Sequence, residues 1–128
     1  MAVKKKIVVV DDDHDVLDLL EIFLYQNYDL YVALSGFDAL KICEQITPAC
    51  IITDIVMPTM DGIKLFNALR KKTKLAQVPI IAITSFGGRK HSVKSLTSMG
   101  FVNTIKKPFN RAKIVAAVEA AVAGTPSP

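Results

Sequence analysis

Short apolar runs alternate with segments of helical periodicity along nearly the whole chain. These runs are rich in β-branched residues and cover residues 7–10, 30–34, 50–53, 79–83 and 102–105. Continuous apolar runs of this length, bounded by polar residues, predict strands that are buried on both faces. Strict alternation of strands and helices then predicts an α/β fold: a parallel sheet covered by helices on both faces and joined by right-handed crossovers.

Five helical segments complete the pattern. Ser35 and Asp61 are placed to open the second and third helices, a weaker fourth helix covers about residues 89–99, and a fifth covers residues 110–122. At 128 residues and 14.0 kDa the chain fits one compact domain. We expect this domain to span residues 1–124 and to be followed by a flexible tail at residues 125–128.

Composition excludes several classes of protein. No stretch approaches the ~20 apolar residues that span a bilayer, and the first apolar run is too short for a signal peptide, so we expect a cytoplasmic protein. The net charge is +4, with acids gathered early and bases late, but no aromatic-interleaved basic motif indicates nucleic-acid binding. Cys43 and Cys50 lack metal-ligand or disulfide-framework spacing, which predicts reduced, partly buried hydrophobic residues.

Polar residues directly follow four of the predicted strands. They are Asp11, Asp12 and Asp13 after the first strand, Asp54 after the third, Thr84 after the fourth, and Lys106 and Lys107 at the end of the fifth. The carboxyl ends of parallel strands share one edge of the sheet, and ligands bind in the crevice there. The sequence therefore predicts that these side chains converge.

The converging groups have a use in one reaction. Carboxylates such as Asp12 and Asp54 are oxygen ligands suited to Mg²⁺, with Asp11 acting through water, and an Asp carboxylate can also accept a phosphoryl group. Thr84 would donate a hydrogen bond to the phosphoryl oxygens, and Lys107 would place a positive charge on them. Each residue alone has an ordinary structural explanation, but their shared position favours the reactive interpretation.

Four motifs in this order resemble the receiver domains of two-component response regulators, of the stand-alone chemotaxis type. They are VVVDDD at residues 8–13, TDIVMPTMDG at 53–62, the pair Thr84-Ser85, and KPF at 107–109. The similarity covers about residues 5–122. It implies a flavodoxin-like doubly wound (βα)5 sandwich whose five-stranded parallel sheet has the order 2-1-3-4-5.

The resemblance also implies roles for individual residues. Asp54 would be the phosphoacceptor, and Asp11 and Asp12 would be the acidic pair. Mg²⁺ would be held by this pair together with Asp54 and the backbone carbonyl of Val56. Thr84 would be the switch hydroxyl, and Lys107 would be the phosphoryl-binding lysine. Asp13 has no such role and is expected to cap the first helix. The protein would be a phosphoacceptor switch that assists its own phosphorylation and dephosphorylation. It would not be an enzyme in the ordinary sense.

The implied partners are proteins. A sensor histidine kinase or phosphotransfer protein would supply the phosphoryl group, and a downstream protein would bind the face formed by the fourth helix, the fifth strand and the fifth helix. Contact with nucleic acid or a membrane is not expected, and a homodimer is compatible with the sequence.

Several positions depart from the usual receiver pattern, including Ser85, where Ala is common after the switch hydroxyl. Thr104 stands where an aromatic residue is common, three positions before the KPF lysine. Val56 and Phe86 are apolar where many receivers have polar residues. Bulky apolar groups at the mouth of the site should hinder attack by water, which predicts a long-lived aspartyl phosphate.

Two other functions stay open. Asp11 and Asp13 form a DxD motif like that of haloacid-dehalogenase-type phosphatases, in which Asp11 would be the nucleophile. Asp15, however, stands where that motif expects Thr or Val, and the chain has little room for a cap domain. A phosphate-independent scaffold is the remaining alternative.

Overall fold

A computed structural model describes residues 3–85 and 92–124. The elements in chain order are β1 (Lys5–Val10), α1 (His14–Leu24), β2 (Tyr28–Ala33), α2 (Gly36–Gln45), β3 (Cys50–Asp54), α3 (Gly62–Arg70), a 3-10 turn (Thr73–Leu75), β4 (Ile80–Ser85), α4 (Val93–Met99), β5 (Asn103–Lys107) and α5 (Arg111–Ala123). The strands form one parallel sheet in the order β2-β1-β3-β4-β5. The predicted flavodoxin-like α/β fold is confirmed.

The central strands are apolar along their length because both of their faces are covered. Val8 and Val10 pack on the side of α2, α3 and α4, whereas Ile7 and Val9 pack on the side of α1 and α5. All four side chains are fully buried. Burying an aliphatic side chain contributes about 1.5–3 kcal/mol, so the two layers together hold the sheet in place.

Polar side chains begin each of the five α-helices in the described part of the chain. Each accepts a hydrogen bond from a backbone N–H of the first turn, and the five N-caps are Asp13, Ser35, Asp61, Ser92 and Asn110. The capping roles predicted for Asp13, Ser35 and Asp61 are confirmed. α4 begins at Val93, later than the predicted start near residue 89, and the Gly87-Gly88 pair and Phe86 lie outside the described residues.

Two glycines bring the loop after β3 close to its neighbours. A Cβ atom at Gly62 would overlap the backbone carbonyl oxygen of Asp54 and lie 2.8 Å from the Cα of Ile55. A Cβ atom at Gly36 would lie 2.6 Å from the Sδ atom of Met60. Glycine at both positions therefore lets the starts of α2 and α3 pack directly against the loop that follows the third strand.

Both cysteines are buried and free. Burial raises the pKa of Cys50 to about 12, which keeps its thiol protonated and unreactive at neutral pH. The cysteines pack as small hydrophobic residues, as predicted, but both are fully buried where partial burial was expected. Among the described helices, none is both long and apolar enough to cross a membrane.

Candidate functional site

The carboxyl edge of the sheet gathers the polar residues that follow the strands. Asp11 comes directly after β1, Asp54 ends β3, and Thr84 lies near the end of β4. Lys107 ends β5 and is paired in register with Ser85. The parallel order of the strands thus brings together residues that are distant in the chain.

Lys107 links the two buried acids of this edge. Its Nζ atom donates to Oδ2 of Asp11 at 2.9 Å and to Oδ2 of Asp54 at 3.2 Å. These partners are 96 and 53 residues away in sequence. The side chain of Lys107 is 21% exposed, whereas the two carboxylates that it contacts are buried. The two ion pairs therefore lie at the base of a site that is open to solvent.

The three adjacent aspartates have three different environments. Asp11 is fully buried, and its Oδ1 accepts the backbone N–H of Asp13 at 2.9 Å. Asp12 is exposed. Asp13 accepts the backbone N–H of Asp15 at 2.9 Å and caps α1. The acidic triplet is therefore divided between the site and the start of the first helix.

Asp54 has an unusual proton affinity. Burial and the neighbouring charge of Asp11 raise its pKa from 3.8 to about 6, although Lys107 and the backbone N–H of Val56, 3.3 Å from Oδ1, oppose this rise. Burial tends to lower the pKa of Lys107, but hydrogen bonds and charges from Asp11 and Asp54 outweigh burial and raise it. At neutral pH the lysine is charged and Asp54 is mostly ionised.

Three carboxylates could hold a cation together. One oxygen from each of Asp11, Asp12 and Asp54 can be chosen so that all three lie within 4.8 Å of one another. An all-oxygen set is what hard divalent cations such as Mg²⁺ prefer. Among residues 3–85 and 92–124, Lys107 is the cation that contacts these acids, with ion pairs to Asp11 and Asp54, so a divalent cation would balance the remaining local charge.

The remaining residues line the site less tightly. Thr84 is 7% exposed, and its hydroxyl makes a long hydrogen bond of 3.4 Å to the carbonyl of Ser85. The side chain of Val56 is 64% exposed beside Asp54, as expected for an apolar residue at the mouth. The structure thus brings Asp11, Asp12, Asp54 and Lys107 together, with Thr84 near the same edge.

Sequence reasoning missed one feature of the site: the shortest contact of Lys107 is with Asp11. The signal was weak but present, because Asp11 directly continues a fully buried strand and a buried carboxylate needs a charged partner. Asp12, one position further on, is exposed. Successive side chains of extended backbone point to opposite sides, and in the sequence this alternation alone indicates which of the two acids is buried.

Comparison with solved structures finds the same fold in several organisms. A putative response regulator from Chloroflexus aurantiacus is 27% identical, with a TM-score of 0.86 over 94% of this chain and 99% of that chain. The signal receiver domain of a histidine kinase from Syntrophus aciditrophicus is 25% identical, with a TM-score of 0.84 over 94% and 91%. The chemotaxis response regulator CheY4 of Vibrio cholerae is 22% identical, with a TM-score of 0.83 over 93% and 99%, and shows likeness of fold alone.

A match to a family model assigns the chain to a protein family directly from its sequence. The model of the response regulator receiver domain matches residues 7–119, which is most of the chain. This match includes the whole carboxyl edge described above, from the acids after β1 to the lysine that ends β5. The chain therefore belongs to the receiver domain family of response regulators.

Proposed function

We propose that this chain is a phosphorylation switch in which Asp54 accepts a phosphoryl group from a sensor histidine kinase or phosphotransfer protein. The observation that carries the proposal is the contact of Lys107 with the two buried carboxylates of the acidic cluster, Asp54 and Asp11. A charged lysine beside a carboxylate nucleophile is the arrangement that phosphoryl transfer needs, because negative charge develops on the transferred oxygens.

Asp54 is a better acceptor than Asp11. Both oxygens of Asp11 are held by bonds of 2.9 Å, one to Lys107 and one to the N–H of Asp13. The two hydrogen bonds to Asp54 are longer, at 3.2 and 3.3 Å, so its oxygens are more easily freed for attack. The raised pKa of Asp54 also makes its carboxylate more basic than an ordinary aspartate while leaving it mostly ionised at neutral pH.

The proposed transfer is a single displacement at phosphorus. An oxygen of Asp54 forms a bond to phosphorus as the bond from phosphorus to the donor histidine nitrogen breaks, and the electron pair stays on that nitrogen. Lys107 holds a proton throughout and donates hydrogen bonds to the moving oxygens. Thr84 can turn its hydroxyl toward the same oxygens at small cost, because its present bond is only a long one.

Mg²⁺ is the proposed cofactor. Asp11, Asp12 and Asp54, with the backbone carbonyl of Val56, are the groups that would hold it. Once bound, it would neutralise part of the charge on the phosphoryl oxygens. The support for this assignment is the close, all-oxygen carboxylate cluster.

The proposed output is a change in protein contacts. Thr84 and Lys107 lie at the ends of β4 and β5, so drawing them toward a phosphoryl group biases the position of the neighbouring α4–β5–α5 face. Lys94, Lys106 and Lys113 are exposed on this face, which suits a downstream protein with an acidic surface. Homodimerisation through another face is compatible with this proposal and is tested by sedimentation with and without phosphorylation.

The test is phosphorylation by acetyl phosphate in the presence of Mg²⁺. Intact-protein mass spectrometry should show one added phosphoryl group, which EDTA prevents. Reduction with borohydride converts an aspartyl phosphate to homoserine, and peptide mapping should then place homoserine at position 54. Asp18→Asn, which removes an exposed acid of α1, is the matched control and should label normally.

The same experiment separates the rival functions. Homoserine at position 11, with label retained in Asp54→Ala, would overturn the proposal and support a phosphatase that uses Asp11. Absence of any added mass, with acetyl phosphate and with a phosphorylated histidine kinase, would support a phosphate-independent scaffold.

A further inference from the structure

β2 lies at one edge of the sheet, and in the described part of the chain it pairs with β1 alone. The backbone carbonyl of Ala33 accepts the N–H of Asp11 at 3.1 Å, so the polar backbone groups of Ala33 point toward β1. Successive residues of an edge strand direct these groups alternately toward the neighbouring strand and toward solvent. The N–H and C=O groups of Leu30 and Val32 therefore point away from the sheet, where a further strand could bond to them.

The residues of β2 leave this edge unprotected. Natural edge strands are commonly guarded by lysine, proline or a β-bulge. The sequence of β2, Tyr-Asp-Leu-Tyr-Val-Ala, has neither lysine nor proline, and its register with β1 runs without a bulge from Tyr28 to Ala33. Val32 is 40% exposed, and the single charge of the strand is that of Asp29, whose neighbour on β1 is Lys6. A regular and largely uncharged edge of this kind is suited to pairing with another segment.

The flank of α1 above this edge is acidic and apolar. The helix packs on both β2 and α5, and it directs Phe23 toward Phe109, just before α5. The opposite flank therefore lies on the side of the sheet edge, and it carries the four residues that line a groove of about 440 Å³: Asp18, Glu21, Ile22 and Tyr25. α1 has no lysine or arginine. Lys4 reaches the end of this flank, but its Nζ atom donates to the backbone carbonyl of Tyr25 at 3.1 Å.

We infer that β2 receives an added strand from a partner protein, and that this strand alternates basic with uncharged side chains. Its backbone would bond to the N–H and C=O groups of Leu30 and Val32, which is how extended segments are captured at a sheet edge. On the α1 side, each arginine or lysine of the segment would lay its aliphatic stem against Val32 and Ile22. Its charged end would then meet Asp18 and Glu21.

The acids of α1 select this occupant over others. Two copies of the chain that paired β2 with β2 about a two-fold axis would bring the acids of both α1 helices to the same interface, which disfavours a second copy. The same acids repel the phosphates of a nucleic acid. β1 separates β2 from β3, which carries Asp54, so strand addition can be measured without phosphorylation and would stand if Asp54 failed to accept phosphate.

The test combines the full ¹⁵N-labelled chain with the peptide acetyl-Thr-Arg-Val-Arg-Val-Arg-Thr-amide, in EDTA and at physiological ionic strength. The peptide should shift the amide resonances of Leu30 and Val32 in a saturable manner. At saturation, hydrogen exchange at these two amides should slow about tenfold, because they enter new hydrogen bonds. Exchange at Tyr31, whose N–H points toward β1, should be unchanged. The matched peptide with Glu in place of Arg should bind about tenfold more weakly.

Two methylated peptides distinguish strand addition from docking of side chains alone. One carries N-methyl groups on its arginines, and the other carries them on its valines. Only one of these alternate sets of N–H groups can face β2, so one peptide should bind about tenfold more weakly and the other should bind like the parent. The peptide that loses affinity also reports the direction of the added strand.

Three variants of the chain complete the test. Val32→Pro removes an outward N–H at a strand edge, where proline is tolerated, and should weaken binding about tenfold. Glu21→Lys reverses a charge of the α1 flank and should weaken binding about fivefold. Glu119→Lys makes the same change of charge on the exposed side of α5 and should bind normally. The dispersed amide spectrum of each variant shows that it is folded, and the methylated peptides test strand addition without any variant.

Several results would overturn the inference. These are no saturable binding, shifts centred away from β2, equal affinity for the Arg and Glu peptides or for the two methylated peptides, or unchanged affinity in a folded Val32→Pro variant. Self-association of the chain that Val32→Pro abolishes would identify a second copy as the occupant of the edge and would also overturn it.

Discussion

Replacing Asp54 with Asn should make the metal-free chain more stable at neutral pH. The pKa of Asp54 is raised from 3.8 to about 6 by burial and by Asp11, with the favourable contribution of Lys107 already included. At about 1.4 kcal/mol for each pKa unit, the ionised carboxylate costs the folded state about 3 kcal/mol at neutral pH. Asn keeps the shape of the side chain and removes this cost, while Lys107 retains Asp11 as a partner.

The effect should depend on pH in a defined direction. A carboxyl whose pKa is higher in the folded state contributes stability that is fully present below its unfolded pKa and is lost as pH rises through its folded pKa. For Asp54 the window of loss runs from 3.8 to about 6. The advantage of Asp54→Asn should therefore grow from about 1 kcal/mol near pH 4.5 to about 3 kcal/mol near pH 7.5.

Urea unfolding followed by far-ultraviolet circular dichroism, in EDTA at both pH values, measures this advantage as a shift of the midpoint at constant slope. Asp29→Asn removes an exposed acid of β2 and should change nothing measurable. Addition of Mg²⁺ should narrow the gap near pH 7.5, because the native chain gains more by binding than the variant does. An advantage that is absent near pH 7.5, or no larger there than near pH 4.5, would refute the reasoning.

Three further changes test other parts of the structure. Gly62→Ala should lower the free energy of unfolding by about 1–3 kcal/mol, because the new methyl group overlaps the carbonyl of Asp54; an unchanged urea midpoint would show that α3 can move away. Val56→Asn should hasten loss of the phosphoryl group several-fold in a chase after donor removal, since the native side chain shields Asp54, and an equal or slower rate would contradict this. Asp13→Ala should lower the free energy of unfolding by about 1 kcal/mol, because it removes the N-cap of α1. Mass spectrometry should find the extent of phosphorylation unchanged. A loss of labelling would instead give Asp13 a role in the site.

The fold could be predicted where burial on both faces imposes a continuous apolar run. The strand over residues 7–10 is such a case, and its observed extension to Lys5 adds one exposed residue, Lys5, and one half-buried residue, Lys6. β2 lies at the edge of the sheet, and most of its positions are exposed or half-buried. Its first residues therefore form no continuous apolar run, and the sequence did not predict that the strand begins at Tyr28. The 3-10 turn at Thr73–Leu75 was not predicted, because Arg70 holds it by donating to the carbonyls of Leu75 and Val78.

The site could be predicted as a set of residues but not as a network. Parallel topology alone brings Asp54 and Lys107 to the same edge of the sheet. The burial of Asp11 after a buried strand hints that it needs a charged partner, but which acid makes the shorter contact with Lys107 is settled only by the side-chain conformations. The same holds for Thr104, whose buried and unpartnered hydroxyl appears only when the neighbouring strand and helices are in place.

The close packing at Gly36 and Gly62 bears on how the site would respond to a group attached to Asp54. Cβ atoms at these glycines would meet Met60 and the backbone of Asp54 and Ile55, so the starts of α2 and α3 lie in direct contact with the loop after β3. We therefore expect this loop to yield less than one with free space behind it. On the proposed function, most of the adjustment would then fall on Thr84 and Lys107 at the ends of the neighbouring strands, so that two residues without side chains would bias the direction of the response.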